Sequence, residues 1–410
     1  MARVCLSVCF ALSASLRFAS QAVGNSRWGR RPIWFILTRK MYSTFTHLKR
    51  PCLARILALV LLFSNPINGL QLRAADPASP PTRNYWGDTN RFLDQQAVVL
   101  LGAAQELLEQ SPPALPEPAQ RRTALLLLDA VLHDADAPKR APVQEFFQRR
   151  MAQAVLEIEQ TRVERGAIIW KLYDHAFVVR TRTVTLAFDL TRAHSAGVAE
   201  FAMPDALAAR FASPCDALFI SHLHGDHADD WVAQQFISQG KPVVVPAELW
   251  SDMPFHGKLR HLSANSNQTH ALPVQEGRQT LDVVVFPGHQ GTAIVNHVFW
   301  VRTPEGLSFC HLGDQSNTED FVWIDCLADH GPLDILFPNC WTPDPLRVIR
   351  GAKPALVIPG HENELGHSID HREPYWLTYE RFAGAAAPCV VMTWGEAFRY
   401  RIDPKTDESR

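Results

Sequence analysis

The chain has 410 residues, 47% of them hydrophobic and 20% charged, a composition that excludes a disordered chain and a multi-span membrane protein. Its formal net charge of −2 is divided unevenly: residues 1–75 carry eleven Lys and Arg and no Asp or Glu, leaving 29 basic against 42 acidic residues, a net −13, for residues 76–410. A body that acidic lacks the surplus of cations on which nucleic-acid affinity rests, so nucleic acid is not the expected partner.

Residues 1–75 read as a leader. Lys49, Arg50 and Arg55 precede the apolar run Ile56 to Phe63, which is too short to span a bilayer as a helix. Asn65, Pro66 and Gly69 then break helical structure, and Ala74-Ala75-Asp76 forms an imperfect cleavage region, Arg73 standing where a small residue is preferred. Met41 stands just ahead of this unit and is an alternative start. The pattern predicts export to a periplasm or the extracellular space, with no stable membrane span left in the mature chain. DPASPPTR, from Asp76 to Arg83, reads as a linker.

Residues 76–160 read as a helical extension. Arg91 to Gln110 places Phe92, Val99, Leu100 and Leu107 on or near one face, with Thr89 and Asn90 available as caps. Four prolines interrupt between Ser111 and Pro118, and two further helices are predicted over Arg121 to His133 and Pro142 to Gln160. No catalytic constellation occurs there, so a packing or lid role is expected.

From about Gly166 the periodicity changes. AIIWKLYDHAFVVRTRTVTLAFDL alternates β-branched and aromatic with polar residues and predicts two or three strands. ALFIS, PVVVP, LDVVVFP, HVFWVRT, LSFCHLGD, LDILFP and ALVIPG are further short apolar runs, with a helix over Asp229 to Gln239 among them. Strands interleaved with short helices predict sheets covered by helices on the outside. Beyond the leader five cysteines remain, Cys215, Cys310, Cys326, Cys340 and Cys389, none in a CxxC pair. That spacing argues against a cysteine zinc knuckle and for buried small apolar residues, with at least one thiol unpaired within the monomer.

Ser221-His222-Leu223-His224-Gly225-Asp226-His227 follows the strand ALFI and concentrates three imidazoles and a carboxylate. In extended backbone His222 and His224 share a face, and Gly225 permits a sharp turn that would aim Asp226 and His227 at a second ion. Imidazole and carboxylate suit zinc, iron or manganese.

The full HxHxDH motif resembles that of the metallo-β-lactamase superfamily. The resemblance covers roughly residues 166 to 400 and implies an α/β fold, the αββα sandwich, here carrying an N-terminal helical extension. It implies that His222 and His224 bind metal one with a later His, that Asp226 and His227 bind metal two with a last His, and that an Asp bridges the ions. His289 after VVVFPG, Asp314 in HLGD and His361 after ALVIPG occur in that order. Asp189, ending TVTLAFDL, matches the buried aspartate that orients the metal-binding loop. His175 in LYDHAFVV stands on the first hairpin, structural or near the site, and is not expected to be a ligand. The order of motifs looks like the broad group containing the ascorbate-6-phosphate lactonase and the N-acyl-phosphatidylethanolamine phospholipase D. His367, His371, Arg372, Glu373 and Tyr375 fit either a pocket mouth or a solvated polar face.

The implied enzyme is a hydrolase of an ester, lactone or phosphodiester in a small molecule or lipid, with two divalent ions, zinc first and manganese or iron as alternatives. The ions would share Asp314 and supply hydroxide near neutral pH, and Asp226 could relay a proton. Two other readings stand beside it, a mono-iron oxygenase or redox enzyme on the same fold and a non-catalytic metal-binding protein. Flavin-coupled di-iron relatives replace the second motif histidine by glutamate, whereas His224 is retained here.

Overall fold

The computed structural model describes residues 87–401, so the leader, the cleavage region and the linker lie outside the described residues. The described residues belong to one compact unit, Arg83–Arg410. Helix α1 (Thr89–Gln110) begins at Asp88, whose carboxylate accepts hydrogen bonds from the Asn90 and Arg91 amides at 3.0 and 3.2 Å. The cap is therefore Asp88 rather than Thr89 or Asn90, because its side chain stands before the first turn and reaches the orphan amides. The packed face also differs from the one expected. Ala97, Leu101, Ala104 and Leu108 are buried, whereas Phe92 and Val99 are 62% and 68% exposed. Two alanines on that row let α2 (Arg121–Leu132) and α3 (Ala141–Gln160) approach closely.

Among the described residues twelve strands make two six-stranded sheets. The first runs β12 (Glu396–Tyr400), β1 (Ala167–Lys171), β2 (Phe177–Arg180), β3 (Thr185–Phe188), β4 (Ala217–Phe219), β5 (Val243–Val244). The second runs β11 (Pro354–Val357), β10 (Leu333–Phe337), β9 (Ser308–His311), β8 (Ile294–Arg302), β7 (Gln279–Gln290), β6 (Thr269–Val274). Each sheet combines three antiparallel pairings with two parallel ones, the latter joining β3 to β4 and β5 and β9 to β10 and β11. All seven apolar runs after the first hairpins became strands. Two strands went unanticipated: β6 is a half-exposed edge strand containing Pro273, and β12 (EAFRY) carries one buried apolar residue, Phe398.

The period of two in each strand sorts side chains between cores. Ala167 and Ile169 of β1, with Val283 and Val285 of β7, face the space between the sheets. Ile168 and Trp170 face outward onto α1 to α3, α4 (Asp205–Ala212) and α5 (Asp230–Ser238). Val284 and Phe286 face the opposite outer layer, with α6 (Phe321–Ile324) and α7 (Pro345–Ala352). Helices therefore cover both outer faces, and the architecture is the αββα sandwich with a helical N-terminal extension. The extension joins the core of the first sheet directly. Arg121 pairs with Glu396 and donates to the Val391 carbonyl, all buried, which satisfies charges that would otherwise be costly inside. Helix α8 (Tyr375–Arg381) sends Tyr375 into the same core.

Among the described residues no helix is long and apolar enough to cross a membrane. The five cysteines form no disulfide; Cys215, Cys310 and Cys340 are buried and Cys389 half-buried, but Cys326 is exposed and is no core residue.

Candidate metal centre

The parallel strands deliver the chemistry. Asp189 follows β3, Ser221 to His227 follow β4, Asp314 follows β9 and His361 follows β11, so four strand ends meet over one edge of the sandwich. There the chain leaves its ladders, and backbone groups that no longer pair are free to turn. Four non-glycine residues of the described chain with left-handed backbone lie in this region: Asp174, Asp189, His361 and Asn363, at φ 55°, 45°, 75° and 55°. Such conformations persist only where surroundings hold them.

Asp189 is the organiser of the His222 turn. Its carboxylate accepts from the Ser221 amide and hydroxyl and from His227 Nδ1, each at 2.7 Å. Having donated to Asp189, the Ser221 hydroxyl can accept from His222 Nδ1 at 3.0 Å. Both imidazoles are thereby fixed with Nε2 facing inward and unprotonated or exchangeable. Burial pushes Asp189 up, but His311, His227 and these hydrogen bonds outweigh it and hold the carboxyl below its usual range.

Asp314 sits at the junction. Its Oδ2 lies 3.6 Å from His222 Nε2, 3.3 Å from His227 Nε2 and 3.4 Å from His361 Nε2. Asp226 Oδ2 lies 3.2 Å from His227 Nε2 and 3.4 Å from His361 Nε2. Donors sharing one ion at about 2.1 Å stand about 3.0 Å apart at right angles and about 3.4 Å apart at tetrahedral angles, so the observed spacing is that of a common cation. Five groups among the described residues have donor atoms within 4.8 Å of one another, and two of them gather the motif residues: His222 with His224 and Asp314, and Asp226 with His227, His361 and Asp174. His222 Nε2, His227 Nε2, His361 Nε2 and Asp314 Oδ1 are buried and receive or make no hydrogen bond. Orphaned donors of this kind are expensive inside a protein and fit a divalent metal.

The charges agree. Burial, with His227 nearby, pushes His222 down to about 3, so it is neutral at physiological pH. For His227 and His361 burial also opposes charge, but Asp314, Asp226 and Asp189 around the first, and Asp174 and Asp314 around the second, raise both well above the ordinary histidine range. Burial is likewise outweighed at Asp226 and Asp314, which the two imidazoles hold well below the carboxylate range.

Glycines explain two of the motifs. Gly313 has φ 53°, and a Cβ there would fall 2.3 Å from Asn296 Oδ1 and 2.5 Å from Ser221 Cβ. A Cβ at Gly360 would meet the His175 ring at 2.2 Å. Asn296 accepts from the Asp314 amide at 2.8 Å and donates to the Leu312 carbonyl, pinning the Gly-Asp turn. His175 is buried beneath the site against His311, which donates from Nε2 to the His175 carbonyl at 3.0 Å.

His289 joins neither group of donors among the described residues. Its side chain is 38% exposed, its Nδ1 donates to Asp320 Oδ1 at 2.9 Å, and its amide donates to the other oxygen of the same carboxylate. The neighbouring Gln290 instead reaches the centre, donating to Asp314 Oδ2 at 3.0 Å. Of the late polar residues, Arg372 and Tyr375 are buried supports: Arg372 donates to five carbonyls, including those of Leu132 and Asp134. His371 is exposed, while His367 and Glu373 are half-buried and share a group with His361. Sequence reasoning overlooked Asp174, Gln290, Asn296 and Asp320. Asp174 adjoins His175 in LYDHAFVV, and no pattern among its neighbours marks it.

No family model matches the chain, and no curated protein matches it. Among solved structures it is similar to Igni18, a metallo hydrolase from the archaeon Ignicoccus hospitalis KIN4/I, at 18% identity and TM-score 0.44, over 58% of this chain and 99% of that one. It is also similar to an isothiocyanate hydrolase from Delia radicum gut bacteria, at 14% identity and TM-score 0.43, over 57% and 100% of the two chains. A third is CmlA, a diiron β-hydroxylase from Streptomyces venezuelae, at 13% identity and TM-score 0.42, over 58% and 55%. Likeness at this level says nothing of substrate.

Proposed function

We propose that the protein is an exported metal-dependent hydrolase that cleaves an ester, lactone or phosphodiester in a small molecule or lipid, on the branch named by its order of motifs. The observation that carries this reading is the convergence of unpartnered, buried imidazole and carboxylate atoms from separate strand ends at the spacing of shared ligands. His222, His224 and Asp314, with His289 oriented by Asp320 through Nδ1, would hold one divalent ion. Asp226, His227, His361 and Asp314 would hold the other. When bound, two such ions supply Lewis acidity and a water that ionises near neutral pH.

The chain's own residues do the rest. Asp189 and Ser221 keep His222 and His227 in the tautomers that present Nε2. Gln290 donates to Asp314 and restrains the shared carboxylate. Asp226, held in its anionic form by His227 and His361, can accept a proton at Oδ2 and pass it to a leaving group. His367 and Glu373, half-buried beside His361, are placed to meet a polar part of the substrate.

Metal analysis of the purified protein, followed by a screen of lactones, phosphodiesters and carboxylic esters with oxygen consumption recorded in parallel, tests the reading. Two equivalents of metal and hydrolysis without oxygen uptake are expected. Protein that takes up no divalent metal, or that consumes oxygen on turnover, would overturn it.

A further inference from the structure

Asp174 sits in the tight turn between β1 and β2, far in sequence from every motif histidine. It is fully buried, and neither carboxylate oxygen receives a hydrogen bond. A buried carboxylate without a donor or a cation costs several kcal/mol, so its surroundings must contain something that balances it. Its Oδ2 lies 3.5 Å from His227 Nε2, and its Oδ1 lies 3.2 Å from His361 Nδ1. The first of these matches the separations linking His227 Nε2 to Asp226 and Asp314, while the second ties Asp174 to the His361 nitrogen opposite the one that faces Asp226 and Asp314; a donor oxygen of Asp174 lies within 4.8 Å of donor atoms of Asp226, His227 and His361. The position is built rather than accidental. The His361 amide donates to the Asp174 carbonyl at 3.1 Å, and both residues adopt left-handed backbone. Behind the turn, Tyr173 packs edge-on against Phe147 of α3 and against Phe201, fixing the hairpin on the helical extension.

We infer that Asp174 is a ligand of the second metal, completing a set of two imidazoles and three carboxylates with Asp226, His227, Asp314 and His361. The inference rests on the two-metal reading above and adds to it a residue and a metal class. Tetrahedral zinc sites take four donors, and an open catalytic one takes three. Five protein donors, three of them hard oxygens, instead suit a five- or six-coordinate ion such as manganese(II) or iron(II). The first position, with more imidazole and fewer carboxylates, has no such bias. The two halves of the centre would then differ in metal preference.

The test uses the full-length protein loaded with cobalt(II), in wild-type form and as Asp174→Asn and Asp174→Ala. Wild-type protein should hold two cobalt ions per chain, one with the weak visible absorption of a five- or six-coordinate site. Both variants should fall to about one ion per chain after dialysis. When cobalt is forced back in excess, their spectrum should gain the stronger absorption of a four-coordinate site. Asp174→Asn keeps the shape of the side chain and removes only its capacity for charge, so it should fold even if Asp174→Ala does not; circular dichroism of the metal-free protein checks this. Variants that retain two ions with the wild-type spectrum would overturn the inference and leave the hydrolase reading intact. So would variants that bind the second ion more weakly but give an unchanged spectrum on reloading, since Asp174 would then only position His361. Wild-type protein that binds no cobalt would instead remove the two-metal reading itself.

Discussion

The two halves of the centre are built differently. His227 and His361 are fully buried, enclosed by Asp174, Asp226 and Asp314, and the loop carrying His361 is tied to the helical extension. Asp129 of α2 accepts from Asn363 Nδ2 at 3.0 Å and from the Tyr375 and Trp376 amides at 2.8 and 3.0 Å. On the other side His224 and His289 are half-buried, and His289 is held by Asp320 outside either group of donors. One half is a preorganised pocket whose donors leave little freedom, and the other is a rim that can open to a ligand. A helical segment with no chemistry of its own therefore shapes the buried half, by packing behind it.

Removing the residue common to both halves should have the largest effect. Asp314→Asn should lower metal content below one ion per chain and reduce hydrolysis at least about a thousandfold, since it takes the shared anionic ligand from both positions. Retention of two ions by this variant, read by elemental analysis, would show that the halves do not share a ligand.

Asp189→Ala acts directly on the buried half through His227, and on His222 only indirectly through Ser221. It strips His227 and Ser221 of their acceptor and should weaken that half's metal by about 10–100-fold, the usual effect of losing a carboxylate behind a metal-binding histidine. Competition with a chelator measures it, and equal weakening of both ions would erase the distinction between halves.

Asp129→Ala probes the brace. Three donors lose their acceptor, at a cost of about 1–3 kcal/mol in urea unfolding. Metal content should drop selectively by one ion. Loss of stability with both ions retained would make α2 a fold element only.

On the rim, His289→Ala should weaken one ion by about tenfold, and Asp320→Ala should act in the same direction but less, because Asp320 only orients the ring. Combining the two should add nothing to His289→Ala alone. Full additivity in that double-mutant cycle would separate Asp320 from the metal.

The smallest effect is that of pH on the metal-free protein. His227 and His361 have raised folded-state values, so the stability they contribute is complete below the unfolded histidine value of about 6.5 and fades as pH rises through the folded values. Asp226 and Asp314 have lowered values, so their contribution is present above about 3.9 and fades as pH falls through the folded values. Maximum stability of metal-free protein is expected between these limits. Metal binding must expel the imidazole protons, so affinity at the buried half should rise with pH by up to about tenfold per unit for each proton released. Calorimetry in buffers of different ionisation enthalpy measures that release, and its absence would place neutral imidazoles in the metal-free centre.

Local pattern carried a great deal of this molecule. The alternation in VVVFP and TLAF, the punctuation by Pro-Gly and Gly-Asp, and the run His222 to His227 are written in neighbouring residues, because strand periodicity and turn chemistry act over a few positions. They were enough for the layers, for most strands and for His222, His224, Asp226 and His227, while Asp314 and His361 came from the family resemblance that this run carries. What only the tertiary structure decided lies between segments far apart. Asp174 becomes part of the centre because the β1–β2 turn packs beneath His361, nearly two hundred residues later. Asp129 becomes a brace because α2 docks beside that same loop. His289 and Gln290, one strand position apart, are assigned to rim and centre by the way β7 ends against Asp314 and Asp320. Such placements depend on which apolar faces bury one another, and packing of that kind has no signature within a short window of sequence.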